Sequence, residues 1–284
     1  MDRWHIHLGR LVGAAVGAFA GVVAVQMMRL RRTEFLPGWP GFNVNHLVTP
    51  AGVPPSGSPI TLVVLGDSTT AGVGVDRPQD ALPYLLAQRI ASSEGRPVRV
   101  ISYGWAGARM ADLPRQQVAH AGGADRKPGE NNPFLPDADI VAIVIGSNDA
   151  THQTPPAMYR RSLRETLEAV RELAPRARIV LCGIPRFHGV LRAFEPLIFL
   201  ADQYARILRP ISRAEAERAG ASYADIHARV PGLIAGRRDV LASDGFHPSV
   251  VLYDAWAQVM FEALEQGAPA GAELPSTPME PAGA

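Results

Sequence analysis

Five short β-branched runs, spaced so that a helix fits between each pair, constrain this chain more than any other feature. They are 60-ITLVVLG-66, 98-VRVIS-102, 139-DIVAIVIG-146, 178-RIVLCGI-184 and, more weakly, 221-ASYADIH-227. Helical periods fill the gaps at 82–93, 111–121, 157–173 and 200–219, and a last helix at 249–265 closes the pattern. Continuous apolar strands separated by helices indicate a parallel sheet covered on both faces. The expected fold is therefore α/β, a three-layer αβα domain with a parallel five-stranded sheet in flavodoxin-like order. Ligands of such sheets bind beyond the carboxyl ends of the strands, so the loops leaving those ends are where chemistry is sought.

The domain is expected over residues 60–266. Before it, 11-LVGAAVGAFAGVVAVQMM-28 holds one polar side chain, Gln26, and is flanked by arginines. About 18 apolar residues lie near the lower limit for crossing a bilayer, so residues 1–32 are expected to be a transmembrane or signal-anchor segment. A cleaved signal peptide is the rival, because Ala18-Phe19-Ala20 resembles a cleavage site. Such a protein is membrane-anchored or exported, with the extracytoplasmic side slightly favoured. Gly9, Gly13, Gly17 and Gly21 share one helix face and could serve self-association. Residues 33–59 read as a linker with some docking strands or turns, and 267–284 as a disordered tail.

The net charge of +1, from 28 basic and 27 acidic residues, argues against a nucleic-acid partner. Cys182, the single cysteine, excludes an internal disulfide and any cysteine-based metal cluster. It lies in an apolar run and reads as a buried structural thiol.

Four loops carry candidate chemistry. In 62-LVVLGDSTTAGVG-74 a strand ends in a glycine-rich turn. A phosphate loop would need a lysine after Gly72, and the dinucleotide fingerprint fails at Arg77, where its third glycine belongs. What remains is Ser68, held just past a strand end. In 102-SYGWAGARMADL-113, Gly107 can turn its amide into a site. In 145-IGSNDATH-152, Asn148 offers an uncharged amide donor of the type that stabilises an oxyanion. Asp149 there reads as tying down its own turn, and His152 is a weaker candidate base. In 243-SDGFHPS-249, Asp244 and His247 are close enough for the carboxylate to accept from imidazole Nδ1 and fix its tautomer. Pro248 is expected to start the last helix.

Gly66-Asp67-Ser68, Gly107 within 104-GWAGAR-109, 146-GSND-149 and 244-DGFH-247 occur in this order, and with them the chain resembles the SGNH (GDSL) hydrolase superfamily of serine esterases and lipases. The resemblance covers about residues 60–265. It implies Ser68 as nucleophile, His247 as general base and Asp244 as its orienting carboxylate. It further implies an oxyanion hole from the backbone N–H of Ser68, that of Gly107 and the side-chain amide of Asn148. Gly104 is the fallback for Gly107, because Tyr103 and Gly104 stand where the family often has an asparagine.

The implied activity is hydrolysis of a carboxylic ester, small or lipidic, through an acyl-enzyme, with no metal or organic cofactor. An acyltransferase using the same acyl-enzyme is the alternative. A catalytically inert, membrane-tethered binding module is a third reading. The apolar segment 187–204 is a candidate acyl-binding wall or lid, or else a buried helix.

Overall fold

A computed structural model describes residues 2–32, 43–50, 57–124, 134–187 and 195–267. The tail beyond 267 and much of the expected linker lie outside these residues. The elements run α1 (Asp2–Arg32), β1 (Asn45–Val48), β2 (Ile60–Gly66), α2 (Leu82–Glu94) and β3 (Val98–Gly104). A continuous helical stretch follows, 3₁₀ over Met110–Asp112, π over Leu113–Val118, and α3 (Ala119–Ala121). Then come β4 (Ile140–Val144), α4 (Ser147–Thr151), α5 (Pro156–Leu173), β5 (Arg178–Cys182), α6 (Leu197–Arg218), β6 (Ser222–Ala224), α7 (Ile226–Leu233) and α8 (Val250–Gly267).

The sheet has six strands in the order β1-β3-β2-β4-β5-β6. The five expected strands are all present and parallel, and their order is the flavodoxin-like one. The sheet as a whole is mixed, because β1 adds an antiparallel edge to β3. That strand comes from the segment read as linker. Its sequence, Asn-His-Leu-Val, is too short to show a period, and only Val48 of it is buried.

The central strand shows why the chain folds this way. In β2, Ile60, Leu62 and Val64 pack on one face with α2, α7 and α8. Val63 and Leu65 pack on the other, with α5, α6 and the irregular helix after β3. Both faces are covered, so the alternation of side chains never meets solvent and the strand reads as one apolar run. Each such side chain contributes about 1.5–3 kcal/mol by leaving water. Cys182 is buried at the end of β5, and burial pushes its thiol well above the usual range. It is held as an inert apolar group.

The helix expected over 111–121 is not a regular α-helix. Pro114 lacks an amide proton and the stretch runs into Gly122 and Gly123, so 3₁₀ and π turns take its place.

The N-terminal run needs correction. It does form one helix, α1, which exposes Leu11, Val12, Val16 and Phe19, and a Cβ placed on Gly13, Gly17 or Gly21 would meet no neighbour within 4 Å among the described residues. Among the described residues, however, no helix is long and apolar enough to cross a membrane. Between Arg10 and Gln26 the uninterrupted apolar stretch is 15 residues, about 22 Å of helix against a bilayer core of about 30 Å. Gln26 is also engaged by protein, its amide donating to Glu195 O and its carbonyl accepting from Leu197 N–H, which docks α1 on the start of α6. The expected transmembrane segment is not supported.

Candidate active site

Gly66 pairs with Gly104 on one side and Val144 on the other, so β2, β3 and β4 end level with one another. Strand order reverses here, with β3 on one flank of β2 and β4 on the other, which is where open α/β sheets bind ligands. The loops bearing Ser68, Gly107 and Asn148 all leave from this line.

Ser68 sits two residues past β2 in a tight turn, closed by Ala71 N–H to Asp67 O at 3.0 Å and Val73 N–H to Ser68 O at 3.0 Å. Gly66 is needed for close approach. A Cβ there would lie 2.1 Å from the Val144 carbonyl oxygen and 2.3 Å from Thr70 Oγ1. Gln117, from the π turn, clamps both polar groups of Gly66. Its Oε1 accepts from Gly66 N–H at 2.8 Å and its Nε2 donates to Gly66 O at 2.7 Å. Tyr253 of α8 donates its buried hydroxyl to Val73 O at 2.5 Å, anchoring the far side of the turn.

The His247 loop folds against this turn. Asp244 Oδ2 accepts from imidazole Nδ1 at 2.6 Å, while its Oδ1 accepts the amides of Phe246 at 2.9 Å and His247 at 3.0 Å. One carboxylate thus fixes both the loop and the ring, and directs Nε2 away from itself. Pro248 bridges to Leu241 instead of starting the helix, which begins at Val250. A Cβ on Gly74 would come within 2.4 Å of Pro248 O and 3.2 Å of His247 Cβ. That glycine lets the serine turn and the histidine loop touch.

Asn148 lies in the first turn of α4. Its Nδ2 donates to Ala108 O at 2.9 Å, leaving a second amide hydrogen. Asp149, fully buried, accepts the amide of Met110 at 2.9 Å through Oδ2. Asp149 therefore ties down the 107–110 loop and not its own turn alone. Burial pushes its carboxyl upward. Gly107 adopts φ 82° in open space, and among the described residues neither its amide nor that of Ser68 has a hydrogen-bond acceptor. Gly104 serves differently: its N–H and C=O are both taken by the Asn43 side chain, at 2.7 and 3.0 Å. A Cβ there would lie 2.2 Å from Ala71 N.

Ser68, Asn148 and His247 line a single cavity of about 50 Å³, with Phe187, Phe246 and Trp256 as apolar wall. Asp244 stands behind the histidine. Gly107 is not part of the lining but neighbours the carbonyl that holds Asn148. His152 is exposed, with Nδ1 on Asn148 O, and does not line the cavity. Of the apolar segment 187–204, Phe187 is wall, 188–194 fall outside the described residues, Glu195 and Pro196 form a turn, and the rest from Leu197 belongs to α6. Among the described residues no group of three or more His, Cys, Asp or Glu side chains is placed to hold a metal ion. The arrangement brings together a hydroxyl, an oriented imidazole and amide donors beside an apolar wall, a set suited to acyl chemistry.

Sequence reading missed Asn43, Gln117 and Arg186. The second interrupts an apolar helical period and the third follows the end of β5, and both were available as signals. Asn43 gave none, since its partner is 61 residues away.

Asp67, under Ser68, is buried, and desolvation raises its pKa from 3.8 to about 6, against the Thr69 amide bond that lowers it. A carboxyl raised in the folded state makes the fold hold its proton more tightly than the unfolded chain does. Stability therefore falls as pH rises from about 4 to about 6, by on the order of 3 kcal/mol. Asp67→Asn keeps the Oδ1 acceptor and removes the titration. We expect it to flatten the denaturation midpoint across that window and to raise it at pH 7; a variant whose pH profile matches the wild type contradicts this.

The sheet order and the switch-point site define a hydrolase fold of the SGNH type. A family model, the GDSL-like lipase/acylhydrolase family, matches residues 64–255, and the chain belongs to that family of esterases and lipases. It is similar to the GDSL-like esterase Rv1075c of Mycobacterium tuberculosis (strain ATCC 25618 / H37Rv), at 27% identity over 228 residues, 78% of this chain and 68% of that one. Among solved structures, the lipase Lip_vut3 from a goat rumen metagenome superposes with TM-score 0.56 at 18% identity, covering 72% of this chain and 97% of the other. TesA superposes with TM-score 0.54 at 22% identity, covering 73% and 99%. These structural likenesses concern the fold.

Proposed function

We propose that the chain hydrolyses carboxylic esters of short acyl chain through an acyl-enzyme on Ser68. His247 Nε2 takes the hydroxyl proton as Ser68 Oγ bonds to the ester carbonyl carbon. The amides of Ser68 and Gly107 and the Asn148 side chain receive the developing oxyanion. The proton passes to the leaving alcohol as the ester C–O bond breaks. Water, deprotonated by the same imidazole, then attacks the acyl group, frees the acid and restores Ser68. Asp244 holds the tautomer and supports the imidazolium.

The observation that carries this reading is the 2.6 Å Asp244–His247 pair on a ring that lines the same cavity as Ser68 and Asn148. The cavity, about 50 Å³, is far below the roughly 300–1,000 Å³ of drug-sized pockets, which supports a short acyl group over a long lipid chain. The test is a series of nitrophenyl esters of increasing chain length offered to the full chain, together with an organophosphonate probe. Turnover falling with chain length and probe mass on Ser68 support the reading. Labelling elsewhere, or turnover that grows with chain length, contradicts it. Asn148→Ala is expected to lower kcat about 100- to 1,000-fold with KM little changed, measured on the best of these esters.

Acyl transfer to an alcohol uses the same intermediate; adding an alcohol acceptor and resolving ester product from free acid separates the two. For location we propose an exported or membrane-associated enzyme, supported by the apolar side chains that α1 exposes. Fractionation of cells, with external protease applied to intact ones, tests it. Self-association along the open face of Gly13, Gly17 and Gly21 is tested by the oligomeric state of a Gly17→Leu variant.

A further inference from the structure

Arg186 differs from the arginines of this domain that are paired with carboxylates. Arg77, Arg89, Arg164, Arg229 and Arg237 each sit on a carboxylate at 2.6–2.8 Å. Arg186 is exposed, lines the same cavity as Ser68 and His247, and among the described residues has no carboxylate partner. Its Nε donates to His227 O at 3.0 Å. That bond orients the guanidinium and leaves its two terminal nitrogens without an acceptor among the described residues.

The backbone that presents Arg186 is fixed from behind. Arg209, 8% exposed, donates to Ile184 O at 3.0 Å and Pro185 O at 2.5 Å, and pairs with Asp202 at 2.9 Å. Asp202 Oδ1 also accepts the amide of Phe187 at 3.3 Å. A part-buried ion pair thus holds residues 184–187 in place, and the acid on the adjoining helix is already engaged. The strap ends in one cation facing the cavity. Apolar wall and hydroxyl groups make up most of the rest, and Asp67, beneath the serine, is partly neutralised near pH 6. A planar guanidinium whose terminal nitrogens have no acceptor among the described residues matches the two oxygens of a carboxylate or phosphate.

We infer that Arg186 selects esters that carry an anionic group, carboxylate or phosphate, a few bonds from the scissile carbonyl. The inference rests on the esterase reading above and names the substrate class of that same site.

The experiment compares matched esters with the full chain. 4-Nitrophenyl butyrate is set against the 4-nitrophenyl monoester of succinic acid, which places a carboxylate on the acyl side. Acetylglycerol is set against acetylglycerol 3-phosphate, which places a phosphate on the alcohol side. The quantity read is the anionic-to-neutral ratio of kcat/KM, which cancels any general loss of folded protein. The wild type is expected to favour the anionic member of at least one pair by about 10-fold, the range of a hydrogen bond to a charged group. Arg186→Gln is expected to bring that ratio close to one, and Arg186→Lys to retain part of it. The pair that responds says which side of the ester faces the guanidinium. Ratios near or below one in the wild type, or a ratio unmoved by Arg186→Gln, overturn the inference while Ser68-dependent hydrolysis of the neutral esters leaves the esterase reading standing. Absence of Ser68-dependent hydrolysis for every ester overturns both.

Discussion

Ser68→Ala should lower ester turnover by about 10⁴- to 10⁶-fold, to the background that binding and amide donors alone provide. Ser68 is half-buried in a turn closed by backbone bonds and by the Thr69 amide on Asp67 Oδ1, and none of these uses the Ser68 hydroxyl. Removing one oxygen leaves those bonds, the Gly66–Gln117 clamp and the Asp244–His247 pair intact. The variant should therefore melt within a degree or two of the wild type and retain its far-ultraviolet circular dichroism. A rate reduced by less than about 100-fold would mean that another group attacks the ester. His247→Ala should produce a loss of the same order, and the double variant little more, because nucleophile and base act as one unit.

The second large effect concerns folding. Gly66→Ala introduces a methyl carbon 2.1 Å from a main-chain carbonyl of β4 and 2.3 Å from Thr70 Oγ1. Thr70 could rotate, but Val144 belongs to the central ladder and cannot withdraw without breaking the β2–β4 register. Relief requires the end of β2 to move, which also pulls Gly66 from Gln117. The expected cost is about 3–5 kcal/mol, in the range reserved for overpacked or severed core positions. Against a total stability of about 5–15 kcal/mol, this should appear as largely insoluble expression or a sharply lowered denaturation midpoint. A soluble Gly66→Ala protein with wild-type midpoint would show that the strand end can yield.

What the sequence revealed follows from which interactions are local. The parallel strands were legible because burial on both faces leaves an unbroken apolar run, as at Ile60–Gly66 and Ile140–Val144. Asp244 and His247 were legible as a pair because a single loop holds both. Ser68 and Asn148 gained meaning from their position past successive strand ends and from the family resemblance. Strand β1 was obscure, since its stability comes from pairing with β3 and not from its own four residues. The helix after β3 was expected to be regular because apolar spacing does not reveal a π turn. Asp149 was assigned to its own turn, while its carboxylate in fact spans to Met110, a contact that no local pattern encodes. The apolar N-terminal run showed that composition alone overstates a membrane segment: Gln26 lies within it and is used to grip the domain.

The antiparallel edge strand and Asn43 also decide where the catalytic unit begins. A fragment started at residue 60, at the first strand of the parallel sheet, would lose the two side-chain bonds that hold Gly104 and would leave β3 as an open sheet margin. Unpaired margins recruit other chains. Such a fragment would carry every residue of the proposed chemistry and still tend to stack into aggregates. A fragment that starts upstream of Asn43, within the stretch that the sequence reads as a linker with docking strands or turns, is therefore expected to stay soluble where one started at residue 60 does not.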